Sequence, residues 1–197
     1  MTMNILSNID SLLTCILNAL GIFGPILGCV LIIIESILPI LPLSVFVTLN
    51  FYAFGNILGF LISYAFTIIG CMISYNLVRK GFKTKFDKYM NSKEHKKLKK
   101  YQASFNKIKL ENLVILIAIP FTPAFLVNIA AALSDISKKK FWISLLIGKL
   151  FMVYFWGYVG VTLIDSLKHP IYILRIILLI LIAYIIGKIV NKKVGVE

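Results

Sequence analysis

The sequence predicts an all-α polytopic membrane protein, a helical bundle that contains two inverted-repeat re-entrant hairpins. Three observations carry this prediction: long apolar runs recur, one run holds a carboxylate beside two prolines, and a later run holds a second pair of prolines. Of the 197 residues, 59% are hydrophobic and 15% are charged, whereas about a quarter are charged in soluble domains. Since about 20 apolar residues cross a bilayer as one helix, recurring runs of this length indicate several spans.

The first apolar run covers residues 12–49, and Glu35 is its one charged residue. The run is too long for one span, and it has no polar loop that would separate two spans. Pro39 and Pro42 interrupt helical hydrogen bonding, and lipid offers no partner for the freed backbone groups. We therefore expect a spanning helix followed by a re-entrant hairpin over about residues 35–55.

Residues 57–78 form the next predicted span, and the segment 79–110 that follows differs sharply in composition. It holds twelve of the 21 lysines and arginines. By the positive-inside rule, this basic loop is expected on the cytoplasmic side. Two interpretations of this basic loop stay open. Either its apolar residues line one face of an amphipathic helix on the membrane surface, or the loop is solvated and only sets topology. In the first case, four lysines contact anionic lipid head groups: Lys96, Lys97, Lys99 and Lys100.

The second re-entrant hairpin is predicted over about residues 112–136, where Pro120 and Pro123 interrupt an apolar run. Basic clusters follow it at residues 138–140 and after the last predicted span. If the run crossed the membrane, both clusters would lie on the opposite side from the basic loop. If the run enters and returns, all three basic segments are cytoplasmic, as the positive-inside rule requires. Proline-broken hairpins in both halves are typical of an inverted-repeat transporter with a midplane site.

The remaining domain organisation is simple. Residues 1–10 are expected to form a short polar leader, and residues 11–187 form a single membrane domain. Within that domain, further spans are predicted at residues 141–164 and 171–186. Residues 188–197 are expected to form a cytoplasmic tail, which contains three of the lysines.

Four polar residues within the apolar runs are candidate functional groups. Glu35 is either a proton, cation or head-group site, or a helix-end residue that reaches the interface. Asn128 either donates hydrogen bonds to a head group or satisfies backbone groups freed by the prolines. Lys149 and Arg175 either line a cavity or extend their charges to the membrane surface.

The order and spacing of several motifs resemble a known family, with the motif residues spread over about residues 20–165: Glu35-x-x-x-Pro39-x-x-Pro42, Gly59, Gly70, Tyr75-x-x-x-Arg79-x-Gly81, Pro120-x-x-Pro123, Asn128, Phe141, Gly148 and Gly160. They resemble the DedA superfamily, also called VTT-domain or SNARE-associated Golgi proteins, and the second half is similar to its Tvp-type branch. That branch usually carries an arginine three residues before the first proline of the second hairpin. This chain has Ile117 there, so Arg79, Lys149 or Arg175 is the candidate cationic partner of Glu35.

The resemblance implies two facing re-entrant hairpins and the translocation of a phospholipid or a polyprenyl-phosphate carrier. The expected path for substrate or protons is lined by residues of both hairpins: Glu35, Pro39, Pro42, Pro120, Pro123 and Asn128. Two alternatives stay open, a proton-coupled transporter of a small ion or solute, and a non-transporting scaffold that recruits partners through its basic loop. The expected location is a bacterial plasma membrane, with membrane lipids and a second copy of the chain as candidate partners.

Several function classes are not expected. The sequence shows no nucleophile–base pair and no phosphate-binding glycine loop, so we do not expect an enzyme. Its two histidines and three cysteines are isolated, which predicts no metal site and no cofactor. Topology accounts for the positive charge, and no nucleic-acid-binding motif accompanies it.

Accessibility labelling tests the two re-entrant segments. Single cysteines replace Pro39, Pro123 or Lys139 in a chain freed of its own three cysteines, and oriented vesicles are treated with a membrane-impermeant thiol reagent. We expect a cysteine at position 139 to react from the same side as one at position 97, because a re-entrant segment returns the chain to that side. The other two positions should react slowly from either side. Fast labelling of position 139 from the opposite side would show that the second segment crosses.

Overall fold

The structure, a computed structural model, describes residues 23–38, 42–90, 102–103, 105–122, 124–166 and 171–194. Within these ranges it contains seven helices and no strand, which confirms the all-α prediction: α1 (Phe23–Ile37), α2 (Leu43–Gly81), α3 (Lys83–Met90), α4 (Leu110–Ala118), α5 (Ala124–Leu133), α6 (Lys138–Ser166) and α7 (Ile171–Val194). Several predicted features lie outside the described residues: the leader 1–10, Pro39, Pro123, Lys96, Lys97, Lys99, Lys100 and residues 195–197.

Three of the described helices have segments long and apolar enough to cross a membrane: Leu43–Gly81, Lys138–Leu163 and Tyr172–Ile189. They confirm the predicted membrane class. Two predicted boundaries differ in detail. Helix α3 lies inside the segment expected as a basic loop, and α7 continues through residues 188–194 of the expected tail.

The longest helix, α2, is two arms that fold against each other at Gly55. The Gly55 backbone has φ 76° and ψ 175°, a conformation open essentially to glycine alone. The Asn50 amide nitrogen lies 3.1 Å from the Ser63 hydroxyl, whereas 13 residues of straight helix extend about 20 Å. The chain therefore reverses at Gly55, and we name the arms α2a (residues 43–54) and α2b (residues 56–81).

Gly59 lets the two arms of α2 touch. A Cβ atom added there would lie 2.6 Å from both the Asn50 carbonyl oxygen and the Phe51 Cα. Real side chains essentially never approach backbone so closely. The missing side chain at Gly59 is therefore a condition for the packing of α2a on α2b.

The hairpin formed by α1 and α2a packs on α2b through a second glycine. A Cβ atom added to Gly70 would lie 2.7 Å from the Ser36 Cβ and 3.0 Å from the Ile33 Cα. Ser36 and Ile33 stand three and six residues before Pro39. One glycine of the long arm thus receives the helix that leads into the first proline pair.

The second half of the chain repeats this contact. A Cβ atom added to Gly148 in α6 would lie 2.7 Å from the Ile117 Cγ2 and 2.9 Å from the Val114 carbonyl oxygen, both in α4. Ile117 and Val114 stand three and six residues before Pro120, the same offsets as in the first half. The two halves therefore have equivalent positions, with α1–α2a matching α4–α5 and α2b matching α6.

A second set of contacts crosses between the halves with matching offsets. Nine residues after its contact glycine, α2b places Arg79 against the Ala132 carbonyl of α5. Nine residues after its own contact glycine, α6 places Gly157 against the ring of Phe51 in α2a. Ala132 and Phe51 each stand twelve residues after the first proline of their hairpin. Each long helix therefore also contacts the hairpin of the other half, as expected for an internal repeat.

The hairpin arms are short. Over its described residues, α1 has 15 residues, α4 has 9 and α5 has 10, which correspond to about 22, 14 and 15 Å of helix. A bilayer core is about 30 Å thick, so neither α4 nor α5 reaches across it alone. This length suits helices that enter and return, and the re-entrant path stays a prediction.

The helices share two apolar cores around α2b and α6. One joins α2b, α4, α5 and α6, where the ring of Tyr75 stacks on Phe141 with centroids 4.6 Å apart. The other joins α1, α2a and α6 around Ile32, Val47 and Val153. Helix α7 is peripheral, with only 11% of its apolar segment buried. The two hairpins therefore lie against a central pair of long helices.

Replacement of Gly59 tests the folded arms of α2. We expect Gly59→Ala to destabilise the protein by about 1–3 kcal/mol, because the added methyl group meets backbone that cannot move aside cheaply. Gly81→Ala is the matched control, since an added Cβ there meets nothing within 4 Å. The measurement is the apparent melting temperature in detergent, with about 2–4 °C lost per kcal/mol. Equal melting temperatures for both variants would contradict the close approach.

Candidate functional site

Lys149 is a cation in the interior of the bundle. Its side chain, near the middle of α6, is 1% exposed, and its Nζ lies 3.2 Å from the Met152 sulfur. A thioether is a weak acceptor, and an ammonium group has three donors. Lysine is almost never fully buried unless it is paired. The Lys149 side chain is therefore buried within the bundle, and its role stays a prediction.

Glu35, on α1, is the acidic residue whose charge interacts with that of Lys149. The carboxylate is partly buried, and Lys149 is the cation whose charge acts on it. The two groups are not within salt-bridge distance, since the salt bridges of the described residues are those of Lys83. The bundle thus holds an acid and a base close enough to influence each other, without a direct contact.

The two glycine contacts described above set the positions of these charges. Glu35 precedes Ser36, which rests on Gly70, and Lys149 follows Gly148, which rests on Ile117. Each charged residue is therefore one position from a close contact between a long helix and a hairpin. Because these contacts allow little sliding, the positions of both charges are set by backbone packing.

Three buried polar atoms have no hydrogen-bond partner within the described part of the chain. They are the hydroxyl oxygen of Thr122, the side-chain nitrogen of Asn128 and the hydroxyl oxygen of Ser144, in side chains that are 7%, 2% and 0% exposed. An unpaired buried polar group costs about 1–3 kcal/mol. Such atoms call for an explanation such as a bound polar ligand or water. Within the described residues, the Asn128 side-chain nitrogen donates no hydrogen bond to backbone.

Asn50 forms a polar link that the sequence analysis missed. Its amide nitrogen bonds to the Ser63 hydroxyl across the fold of α2, and its amide oxygen would lie 3.1 Å from a Cβ atom added to Gly28 of α1. Ser63 in turn accepts a 2.6 Å hydrogen bond at its carbonyl from the Thr67 hydroxyl. The available signal was an amide at the end of an apolar run.

Arg79 donates hydrogen bonds at the C-terminal end of α5. Its guanidinium donates to the carbonyl of Ser134 at 2.6 Å and to that of Ala132 at 3.3 Å. The Lys83 ammonium donates to the neighbouring Leu133 carbonyl at 3.0 Å. Cations at a helix C-terminus bond to carbonyls that lack helical partners and face the negative end of the dipole. These contacts leave Arg79 at the end of α5, away from Glu35 and Lys149.

Asp135 continues this network beyond α5. Its carboxylate accepts hydrogen bonds from the Lys83 ammonium at 2.9 Å and from the Asn106 amide at 2.7 Å. Chiefly because of the Lys83 hydrogen bond, the pKa of the Asp135 carboxyl is lowered from its ordinary value. The Lys83 contact ties α3 to the connection between α5 and α6.

The structure also describes three other predicted site residues: Arg175, Pro42 and Pro120. Arg175 is exposed on α7, with its guanidinium 5.2 Å from the ring centre of Tyr172. Pro42 is the exposed residue that precedes α2, and Pro120 is partly buried between α4 and α5. Among the residues that the structure describes, no three His, Cys, Asp or Glu side chains come together as metal ligands would.

Comparisons with known proteins agree with this architecture. The family model of the VTT domain matches residues 41–162. An uncharacterized membrane protein of Bacillus subtilis, YhjE, is 30% identical over 185 residues, which are 94% of this chain and 88% of the relative. An uncharacterized protein of the same organism, YqeD, is 27% identical over 134 residues, 68% of this chain and 64% of that relative. A search of solved structures found no match.

The pH dependence of stability tests the Asp135 contacts. A carboxyl group whose folded pKa is lowered stabilises the fold above its unfolded pKa, and this contribution is lost as the pH falls through the folded pKa. We therefore expect Asp135→Asn to lower the melting temperature in detergent at pH 7, with the difference from the parent chain disappearing in strong acid. Lys83→Met should give a loss that is not additive with it, since both remove the same contact. A difference that stays constant down to the lowest pH would contradict this assignment.

Proposed function

Because the chain belongs to the VTT-domain (DedA) family of membrane proteins, we propose that it is a lipid translocator in which an anionic head group passes through the bundle interior. The observation that carries the proposal is the fully buried Lys149, set opposite Glu35 without a salt bridge. A buried charge is costly in a membrane protein and typically marks a substrate or ion pathway. The acyl chains would stay in the bilayer while the head group crosses.

The chemistry of the interior favours an anionic head group. Lys149 offers an ammonium, and Thr122, Asn128 and Ser144 each carry a buried donor that has no partner among the described residues. Phosphate oxygens accept hydrogen bonds from such donors, and bonds to charged groups are about twice as strong as neutral ones. A phosphate group would thus satisfy several groups that are otherwise costly to bury. This supports a phospholipid or polyprenyl phosphate as the cargo.

Glu35 has a complementary role in this proposal. With no cargo bound, its carboxylate offsets the charge of Lys149 across the gap between α1 and α6. When a phosphate arrives, it pairs with the Lys149 ammonium in place of Glu35. The Glu35 carboxylate then repels a second anion. The cargo would be bound and released, because a resident carboxylate competes for the same cation.

Lys149 also offers an explanation for Ile117, which stands where the resembled branch usually carries an arginine. The Ile117 side chain packs on Gly148, directly before Lys149. We propose that the cation that relatives carry on α4 is supplied here from α6, one residue from the same contact. The pathway would then lie between the two hairpins and the two long helices, with the basic loop on the cytoplasmic side.

Proton-coupled transport of a small ion or solute is the second candidate function. The observation that favours it is the same facing pair, since both a carboxylate and an ammonium group can exchange a proton. A non-transporting scaffold would gain nothing from a buried charge pair, so the observed interior argues against that alternative.

Reconstitution into liposomes tests translocation. The vesicles contain phosphatidylglycerol that is fluorescent in both leaflets, and dithionite added outside bleaches only the outer leaflet. We expect the parent chain to accelerate loss of the inner-leaflet signal. Lys149→Met should slow it about tenfold or more, because a hydrogen bond to a charged group is worth about 1.5–3 kcal/mol. Lys188→Met, which removes an exposed lysine of α7, should not change the rate.

Three outcomes separate the candidates. A rate no faster than that of empty liposomes would end the lipid proposal. Proton entry without lipid movement, reported by a pH-sensitive dye inside the vesicles and abolished by Glu35→Gln, would favour proton-coupled transport instead. An active protein in which Lys149→Met and Lys188→Met behave alike would place the path elsewhere in the bundle.

A further inference from the structure

An apolar groove opens at the end of α2 that adjoins the basic segment. Its residues are distant from Lys149 and Glu35 in the sequence, and the contacts described above do not join them to either residue. The groove encloses about 570 Å³, a size typical of ligand sites. Its walls come from the end of α2b, from α3 and from one side of α5: Val78, Phe82, Lys85, Phe86, Ile129 and Leu133.

Among the described residues that line the groove, Lys85 is the charged one. It is exposed, and the described residues provide no ion pair or hydrogen bond for it. Lys83, two residues earlier, contrasts with it, because Lys83 is held by Asp87 at 3.2 Å and by Asp135 at 2.9 Å. Of these two neighbouring lysines, Lys83 is paired with two carboxylates, and Lys85 presents a charge that no described residue pairs.

The apolar wall is also unusually open at this end of the span. The Phe82 side chain is 61% exposed and stands between α2 and α3. Ile129 and Leu133 of α5 also line the groove, and neither side chain is charged. An apolar slot with a cation at its mouth, at the end of a membrane helix, matches one amphiphile: a lipid whose tail is apolar and whose head group is anionic.

We propose that this groove binds one acyl chain of an anionic phospholipid, with the head-group phosphate at Lys85. The charge complementarity favours this occupant over a zwitterionic lipid, whose head group gains less from an uncompensated cation. It also favours the lipid over a second copy of this chain, whose net charge of +13 repels a further positive surface. The site holds a resident lipid beside the α5 end of the second hairpin. It does not depend on whether the protein translocates lipids.

Fluorescence quenching by brominated lipids tests the site on the full chain in vesicles. Phe82→Trp places a reporter in the groove by a conservative aromatic exchange at an exposed position, and the signal of the parent chain, which keeps Trp142 and Trp156, is subtracted. Ile185→Trp on the exposed face of α7 is the reporter for ordinary bilayer lipid. The probes are phosphatidylglycerol and phosphatidylcholine brominated on their acyl chains, each mixed into an unbrominated background.

We expect half-quenching of the Phe82→Trp reporter at a mole fraction of phosphatidylglycerol about fivefold lower than of phosphatidylcholine, because one nearby lysine is worth about 1 kcal/mol. Lys85→Gln should remove this preference. Lys88→Gln, which removes an exposed lysine of the same helix outside the groove wall, should keep it. The α7 reporter should respond equally to both lipids.

Three results would overturn the proposal. Equal quenching of the Phe82→Trp reporter by both lipids would show that the groove has no preference for an anion. A preference that survives Lys85→Gln would place the anion elsewhere. Quenching by neither lipid would show that protein covers the groove, either a second copy or another segment of this chain. A Phe86→Trp reporter repeats the measurement if the first variant does not fold.

Discussion

Two close contacts between a glycine and a hairpin helix determine most of this structure. Gly70 receives α1, and Gly148 receives α4, at the same offsets from the proline pairs that follow. In lipid, helices gain little from the hydrophobic effect and associate through close packing at small residues. These contacts therefore stabilise the bundle, and they also set where Glu35 and Lys149 lie, each one residue away.

The polar interior is difficult to explain by stability alone. Replacing buried charges by apolar residues of similar size is often neutral or stabilising in proteins. The buried lysine and the three unpaired donors of Thr122, Asn128 and Ser144 therefore weaken the fold relative to an apolar interior. A polar cargo that binds transiently accounts for both features, because it needs donors that are available when it arrives and free again when it leaves.

The basic end of the bundle divides its charges between two tasks. Arg79 and Lys83 bond to the last carbonyls of α5, and Asp135 joins Lys83 to the following connection. These cations are used within the protein, so a simple count of positive charge overstates what is available to lipids. Lys85 is among the cations that remain, and it stands at an apolar groove.

The sequence by itself determined the membrane class and the family, because apolar runs and the order and spacing of short motifs are local features of the chain. It also singled out Glu35, Asn128 and Lys149 as polar groups in apolar surroundings. Only the tertiary structure decided that α2 folds back at Gly55, that Asn50 meets Ser63, and that Gly148, beside Lys149, packs on Ile117. Those pairings join residues far apart in the chain, and they follow from which helices pack together, a property that no local pattern records.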